Sequence, residues 1–323
     1  MNFKVKLGLL TLVLLFSVVG VFRLIRGSSG ATLETSVDFS RTFHFQFASK
    51  KEDDSELETI VERNLDGVWG DFAIYIESLA PDSGTEKYTY NEVELFPTAS
   101  LYKLILLAAV LKEIENGSIN YEDTLNGTKT HLAQVMGGVD YGYEEAPENI
   151  RYSVDEALVR VGRISDNFAA IMLTEKLRAV GKNRLLVKMA SDLGMNQTDF
   201  GLSGDEQVVT TASDIAAFFR LLYEGRVVSR DASDKISGYL SLSKINDRVP
   251  AGLPEGIKVV HKTGELSRVR HDAGIVYLED APYILVMLSK DLPFEDDGIE
   301  VLAQISRDVY GYFSTKNQVN TGR

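Results

Sequence analysis

The sequence contains no cysteine among its 323 residues. This absence excludes disulfide bonds, catalytic thiolates, cysteine-ligated zinc and iron–sulfur clusters. Basic residues are in deficit, because 34 Lys and Arg stand against 47 Asp and Glu and leave a formal net charge of -13. Phosphate backbones are bound by clustered Lys and Arg, so we predict that nucleic acid is not a partner.

Common catalytic and nucleotide-binding motifs are also missing. The chain has no Gly-x-x-x-x-Gly-Lys loop, no Gly-x-Gly-x-x-Gly, no His-Glu-x-x-His and no Gly-x-Ser-x-Gly. Its four histidines are scattered, and nothing in their spacing recommends a Ser-His-Asp triad.

The N-terminus carries an apolar run from Leu7 to Phe22 that follows two lysines. A basic start before such a run is typical of an export signal or a membrane anchor. We expect residues 1–26 to be an uncleaved anchor, because two arginines separate the run from the small residues Ser29-Gly30-Ala31. A cleaved signal peptide is the alternative. In either case we expect the rest of the chain to lie outside the cytoplasm.

The remaining sequence predicts a linker, one folded domain and a short tail. Strand patterns lie near both ends of the domain, and helical patterns dominate between them. We therefore expect an α/β (α+β) fold, with a mostly antiparallel sheet built from both termini, flanking helices and an inserted all-helical lobe. The predicted bounds are 27–50 for the linker, 51–96 and 256–316 for the sheet lobe, 97–255 for the helical lobe and 317–323 for the tail.

The first candidate site is Ser100-Leu101-Tyr102-Lys103. It opens a run that is apolar all round, Leu104 to Leu111, which predicts a buried helix. The spacing of three places the Ser100 hydroxyl and the Lys103 amine on one helix face. A lysine in an apolar environment tends to lose its proton, and a neutral lysine beside a serine is a general base beside a nucleophile. The pattern recurs at Ser241-Leu242-Ser243-Lys244 without the apolar context.

Two further strings follow in order along the chain. Ser165-Asp166-Asn167 lies at the junction of two predicted helices, and Lys262-Thr263-Gly264 ends a predicted strand. Together with the Ser-x-x-Lys string they resemble the motif set of the penicillin-recognising serine enzymes, the class A β-lactamases and D,D-peptidases. The resemblance extends from Lys51 to Phe313, and implies a β-lactamase/transpeptidase-like fold and a serine hydrolase domain over residues 51–316.

The resemblance also implies roles for individual residues. Ser100 would attack a carbonyl to form an acyl-enzyme, with Lys103 accepting its proton. Ser165 would relay a proton to the leaving amine, and Lys262 would hold Ser165 and a substrate carboxylate. The backbone N–H groups of Ser100 and Glu265 would form the oxyanion hole. The other implied substrate-binding residues are Asn167, Thr263, Gly264 and either Arg268 or Arg270.

The resemblance is incomplete between Met195 and Thr211. Class A β-lactamases carry in this loop a glutamate that activates the deacylating water, and an asparagine a few positions later. This sequence has no clear Glu-Pro and no following Asn there. Asp199, Asp205 and Glu206 remain as substitutes. We therefore expect an acyl-enzyme that forms readily and hydrolyses slowly.

Three functional hypotheses remain. The first is an exported serine hydrolase that cleaves a β-lactam amide. The second uses the same residues on D-alanyl-D-alanine cell-wall peptides, as a carboxypeptidase or transpeptidase, and the short loop favours it. The third is a slowly deacylating or non-catalytic penicillin-binding sensor. We expect a monomer without metal or organic cofactor, whose partners are a small-molecule substrate and, through the N-terminal segment, a membrane.

Overall fold

The computed structural model describes residues 56–80, 86–135, 146–200 and 208–321 of the chain. The predicted anchor and linker, residues 1–50, lie outside this part. Of the helices in the described ranges, none combines the length and the apolar character that a bilayer span requires.

Strands and helices follow one another as the sequence patterns predict, with strands near both ends. In chain order the described elements are α1 (Glu56–Leu65), β1 (Asp71–Ser78), β2 (Lys87–Tyr90), β3 (Phe96–Pro97), α2 (Tyr102–Glu115), β4 (Thr124–Thr128), α3 (Lys129–Val135), β5 (Asn149–Ser153), α4 (Val154–Ile164), α5 (Asn167–Ala179), α6 (Leu185–Asp192), β6 (Val209–Thr210), α7 (Ala212–Tyr223), α8 (Arg230–Ser241), β7 (Lys258–Leu266), β8 (Val269–Tyr277), β9 (Tyr283–Lys290) and α9 (Glu295–Thr321).

Both ends of the domain contribute to one five-stranded sheet, in the order β2-β1-β9-β8-β7. Every neighbouring pair is antiparallel, and β1 pairs with β9 along its whole length, from Asp71 opposite Lys290 to Ser78 opposite Tyr283. The central strands β8 and β9 are buried along nearly all of their length, as expected where helices cover both faces. The predicted mostly antiparallel sheet built from both termini is confirmed.

Helices from the two ends of the domain cover one face of this sheet. Their buried residues recur at helical spacing and include Leu57, Val61, Leu302, Ile305 and Val309. Burying each of these side chains contributes about 2 kcal/mol to folding. The helix α9 continues to Thr321, past residue 316, where the sequence predicts the end of the domain.

The chain between β2 and β7 forms an inserted lobe of mainly helical structure around α2. Residues 104–111 of this helix are buried on every side, which confirms the buried helix that the apolar run predicts. Ser100 itself lies in a 3₁₀ turn, Ala99–Leu101, and the α-helix begins only at Tyr102. The lobe also contains two short antiparallel pairs, β3 with β6 and β4 with β5.

Two helices of this lobe begin with the capping spacing that the sequence shows. Ser153 Oγ accepts a hydrogen bond from the Glu156 backbone N–H at 3.0 Å, and Thr211 Oγ1 accepts one from Asp214 N–H at 3.2 Å. Each cap satisfies an N–H group that has no partner inside the helix and contributes about 1 kcal/mol. The first cap fixes the start of α4, whose other end carries part of the candidate site.

Candidate active site

The centre of the site is the buried side chain of Lys103, in the first turn of α2. Its Nζ atom lies 3.0 Å from Ser100 Oγ and 3.2 Å from Ser165 Oγ. It also lies 2.6 Å from Asn167 Oδ1 and 2.6 Å from the backbone oxygen of Ser165. Three of the predicted site residues therefore meet around one lysine nitrogen.

These contacts favour a particular arrangement of protons on Lys103. The Asn167 side-chain oxygen and the Ser165 carbonyl oxygen can only accept hydrogen bonds. In a neutral amine the two hydrogens would be donated to these acceptors, and the lone pair would face the Ser100 hydroxyl. The geometry thus fits a general base that receives the proton of Ser100.

Ser165 and Asn167 are placed by the tight junction between α4 and α5. Ser165 ends α4 in the left-handed region, with φ at 56°. The buried Asp166 then caps α5, because its Oδ1 accepts from Ala169 N–H at 3.0 Å and its Oδ2 accepts from Arg160 Nε at 2.8 Å. Asp166 therefore orients the turn, as its position at a helix junction suggests.

Lys262 approaches the same serine from β7. Its Nζ atom donates to Ser165 Oγ at 2.8 Å and to the Thr263 backbone oxygen at 2.9 Å. The Ser165 hydroxyl therefore lies between the amines of Lys262 and Lys103, which is the position that a proton relay requires.

The environment lowers the pKa of both lysines. Burial holds the pKa of Lys103 well below its usual 10.5, and the nearby charge of Lys262 lowers it further, while Asp166 acts in the opposite direction. Burial also lowers the pKa of Lys262 to about 7, although the carboxylates of Asp272 and Glu265 oppose this shift. Burial thus favours the neutral form of both amines relative to a lysine in water, and for Lys103 the neighbouring Lys262 charge adds to this effect.

The 3₁₀ turn that carries Ser100 is fastened to the sheet by a buried histidine. His271 Nε2 donates to the Pro97 backbone oxygen at 2.7 Å, and its Nδ1 accepts from Ser289 N–H at 3.0 Å. A Cβ atom at Gly264 would lie 2.9 Å from His271 Cδ2 and 3.2 Å from Ala99 Cβ. Glycine at this position thus lets β7 lie against the turn, which is a packing role.

An open cavity of about 890 Å³ lies above this cluster. Ser100, Ser165, Asn167, Thr263 and Glu265 are among the residues that line it. The predicted nucleophile, relay and three of the predicted substrate-binding residues therefore border one space.

The two arginines left open by the sequence lie in different places. Arg270 lines the cavity, but its Nη1 donates to the Leu266 and Val269 carbonyls, at 2.8 Å each, and its Nη2 pairs with Glu295. Arg268 is not among the described residues that border the cavity, and its guanidinium donates to backbone oxygens of the segment that follows β9. Neither arginine presents an unengaged guanidinium to the cluster.

Sequence reasoning missed a third arginine, Arg248, whose side chain is fully buried. Its Nη2 donates to Glu265 Oε1 at 2.5 Å, while Nε and Nη1 have no hydrogen-bond partner among the described residues. Asp272 holds the neighbouring backbone, since its carboxylate accepts from Val249 N–H at 2.9 Å and lies 2.8 Å from His261 Nδ1. No motif marks this arginine, because only the fold brings it to the end of β7.

The described part of the chain offers no evident substitute for a deacylating glutamate. Asp199 pairs through its backbone with Val209 and is not among the cavity-lining residues described. Asp205 and Glu206 lie outside the described residues. The carboxylates that do border the cavity in the described ranges, Glu265 and Glu295, are bound to arginines. Over the same ranges, no group of three or more His, Asp or Glu side chains could hold a metal ion.

An antiparallel sheet with an inserted helical lobe and a serine–lysine cluster between them defines a β-lactamase-like hydrolase. The model of the β-lactamase enzyme family matches residues 55–313, and the chain belongs to this family. It is 27% identical to a β-lactamase of Bacillus amyloliquefaciens, over 77% of this chain and 81% of that protein. It is 22% identical to β-lactamase CARB-4 of Pseudomonas aeruginosa, over 80% of this chain and 92% of that protein.

Solved structures show the same fold. A β-lactamase from Sphaerobacter thermophilus has a TM-score of 0.70 at 21% identity, covering 81% of this chain and 98% of that one. The structure of PBP-A has a TM-score of 0.69 at 24% identity, covering 81% of this chain and 97% of that one.

Proposed function

We propose that the protein is a serine hydrolase that is acylated at Ser100 by a β-lactam amide. The observation that carries the proposal is the set of contacts around Lys103 Nζ, which places Ser100 Oγ at 3.0 Å while carbonyl acceptors lie at 2.6 Å. A lysine with this environment is a base of low proton affinity held against one hydroxyl.

The proposed acylation moves one proton from Ser100 to the leaving nitrogen. Lys103 takes the hydroxyl proton as Ser100 Oγ attacks the amide carbonyl and forms a tetrahedral intermediate. Ser165 Oγ donates a proton to the amide nitrogen as its bond to carbon breaks, and Ser165 regains one from Lys103, 3.2 Å away. The product of this step is an ester on Ser100 whose acyl group still carries the amine, because the β-lactam amide is part of a ring.

A substrate carboxylate would lie at the Lys262 end of the cavity. Lys262 and the buried Arg248 supply cationic groups at this end, beside the Glu265 carboxylate that Arg248 binds, and Thr263 borders it with a hydroxyl. Buried cations bind an anion strongly because the surrounding dielectric is low. The acylation itself, rather than this carboxylate position, is supported by the PBP-A L158E mutant, which was captured as an acyl-enzyme complex with penicillin G and has a TM-score of 0.68 to this chain.

We also propose that the acyl-enzyme hydrolyses slowly. Both carboxylates that border the cavity in the described ranges are bound to arginines, so neither is free to activate water. The same observation favours a second candidate function, acylation by D-alanyl-D-alanine cell-wall peptides. The N-terminal apolar run supports a location outside the cytoplasm, which protease accessibility in intact cells would test.

The test is intact-mass spectrometry of the full chain during incubation with penicillin G. We expect an adduct on the parent protein and none on Ser100→Ala. The matched control is Ser241→Ala, which removes the serine of the second Ser-x-x-Lys string and should acylate normally.

The time course separates the candidates. An adduct that disappears while penicillin is consumed identifies a β-lactamase, and a long-lived adduct with release of D-alanine from a cell-wall peptide identifies a peptidase. Absence of any adduct at Ser100 would overturn the proposed acylation.

A further inference from the structure

The cavity above Ser100 extends well beyond the catalytic cluster, along one face of α5. Asn167, Ile171, Thr174 and Arg178 all line it. Their spacing of four, three and four places them in one row on the helix. At 1.5 Å per residue this row is about 16 Å long, which equals four to five extended peptide residues.

The walls of this part of the cavity are mainly apolar. Val135 at the end of α3, Leu186 on α6 and Phe200 after α6 line the same space as Ile171. Ile171, Leu186 and Phe200 also pack against the core, so the apolar wall is supported from behind while its other side faces the open cavity. Apolar side chains in such a cleft are typical of a binding surface.

The far end of the row is positively charged. Arg178 is exposed, and its side chain has no ion pair or hydrogen bond with another described residue. Glu175, about one turn earlier on α5, binds His131 at 2.8 Å instead. This guanidinium is therefore available to a ligand anion.

We propose that this row, defined by Asn167, Ile171, Thr174 and Arg178 and called here the α5 groove, binds the acyl side chain of the substrate. It selects an elongated apolar side chain that ends in a carboxylate. Asn167 contacts the part next to the reacting carbonyl, Ile171 and its apolar neighbours contact the chain, and Arg178 binds the terminal anion. The inference rests on the proposed function for the position of the reacting carbonyl.

The length of the groove supports this occupant over a short side chain. A compact acyl group would fill only the space beside Asn167 and leave the apolar walls in water. Each methylene that enters the groove removes apolar surface from water and adds up to about 0.8 kcal/mol of affinity, or about fourfold. Arg178, which has no ion pair with another described residue, favours a terminal anion over a neutral or cationic end.

The test measures equilibrium binding to the full chain carrying Ser100→Ala, by calorimetry, so that the result does not depend on acylation. The ligands are penicillins with one nucleus and four side chains: acetyl, decanoyl, decanoyl with a terminal carboxylate, and decanoyl with a terminal amine. We expect decanoyl to bind at least about tenfold more tightly than acetyl. We expect the carboxylate to bind about threefold to tenfold more tightly than the amine in 0.05 M salt, with a smaller ratio at higher salt.

Substitutions in the α5 groove show which side chains cause the two binding preferences. Arg178→Gln should abolish the preference for carboxylate over amine, and Ile171→Asn should reduce the preference for decanoyl over acetyl. The matched control is Arg184→Gln, which removes an exposed arginine at the start of α6 that does not line the cavity, and should leave both ratios unchanged. Equal binding of all four ligands, or ratios insensitive to Arg178 and Ile171, would overturn the α5 groove. Acylation of the parent protein is scored separately, so failure of the proposed function would be visible by itself.

Discussion

The two Ser-x-x-Lys strings of this chain have the same spacing and opposite environments. Lys103 is fully buried, and its nitrogen contacts Ser100 and the α4–α5 junction. Ser241 and Lys244 are exposed at the end of α8, and Ser241 Oγ donates to the Gly238 carbonyl at 2.8 Å. The comparison teaches that the spacing alone carries no chemistry. A serine and a lysine become nucleophile and base only where burial removes the charge and other groups bind the amine hydrogens.

The largest expected difference between the two strings is in the rate of acylation. Lys103→Met should slow formation of the penicillin adduct on the order of 10³-fold, because a general base typically contributes 10² to 10⁴. Lys244→Met should leave the rate within about twofold, as expected for an exposed side chain that is not among the described residues lining the cavity. Time-resolved intact-mass spectrometry at pH 7 measures both. Similar rates for the two variants would show that the burial of Lys103 has no bearing on the chemistry.

The second difference concerns the hydrogen bond from His271 to the Pro97 carbonyl, called here the tether, which fastens the Ser100 turn to the sheet. The second Ser-x-x-Lys string lacks it. Burial lowers the pKa of His271 to about 4, from 6.5 in the unfolded chain. Because the folded state disfavours protonated His271, the contribution of the neutral side chain to stability is complete above pH 6.5. This contribution is lost as the pH falls towards 4. The contribution is about 3 kcal/mol.

Denaturant unfolding at pH 4.5 and 7.5 measures this contribution. Between pH 7.5 and pH 4.5 the free energy of unfolding should fall more in the parent protein than in His271→Asn. The difference between the two should be about 3 kcal/mol. The matched control His131→Asn, which changes an exposed histidine on α3, should behave as the parent does. The role of the tether would be contradicted if the free energy of unfolding had the same pH dependence in the parent protein and in His271→Asn.

The third prediction concerns the pH profile of acylation. With its pKa at about 7, Lys262 loses its proton above neutral pH and with it the attraction for a substrate carboxylate. The second-order acylation constant should therefore fall about tenfold per pH unit above pH 7. Lys262→Arg should remove this descending limb, because an arginine stays charged. Lys244→Arg is the control and should keep it, whereas a flat profile to pH 9 in the parent protein would contradict the assignment.

The smallest expected effect is on stability. Lys103→Met removes the cost of burying an amine but leaves the Ser165 and Asn167 oxygens without their donor. The two effects oppose each other, so the free energy of unfolding should change by no more than about 1 kcal/mol. Lys244→Met should change the free energy of unfolding by less than about 0.5 kcal/mol. Thermal or denaturant unfolding of both variants measures the difference. A strong destabilisation by Lys103→Met would show that the amine holds the α4–α5 junction together.

Much of the fold was predictable because its signals are local. The apolar run from Leu104 to Leu111 predicts α2 as a buried helix, which the structure confirms. Ser153 and Thr211 are residue types that favour helix starts, and each caps a helix in the structure. The three short strings also predict which residues meet, although 97 positions separate Ser165 from Lys262. Their roles in catalysis stay predictions until the variants above are measured.

Other parts of the site depend on contacts that no local pattern encodes. Only the partners of each guanidinium show that both Arg268 and Arg270 are engaged, and the buried Arg248 lies outside every motif. The tether from His271 to Pro97 joins residues 174 positions apart, so only the packed sheet shows it.

The sequence by itself determined the order of elements, the buried helix and the three strings that identify a serine–lysine site. These follow from periodicity and from residue chemistry within a few positions. The tertiary structure alone decided which groups contact the Lys103 nitrogen, which arginine binds Glu265 and how far the cavity runs along α5. The physical reason is that burial, proton affinity and cavity shape depend on atoms from distant parts of the chain, brought together only when it folds.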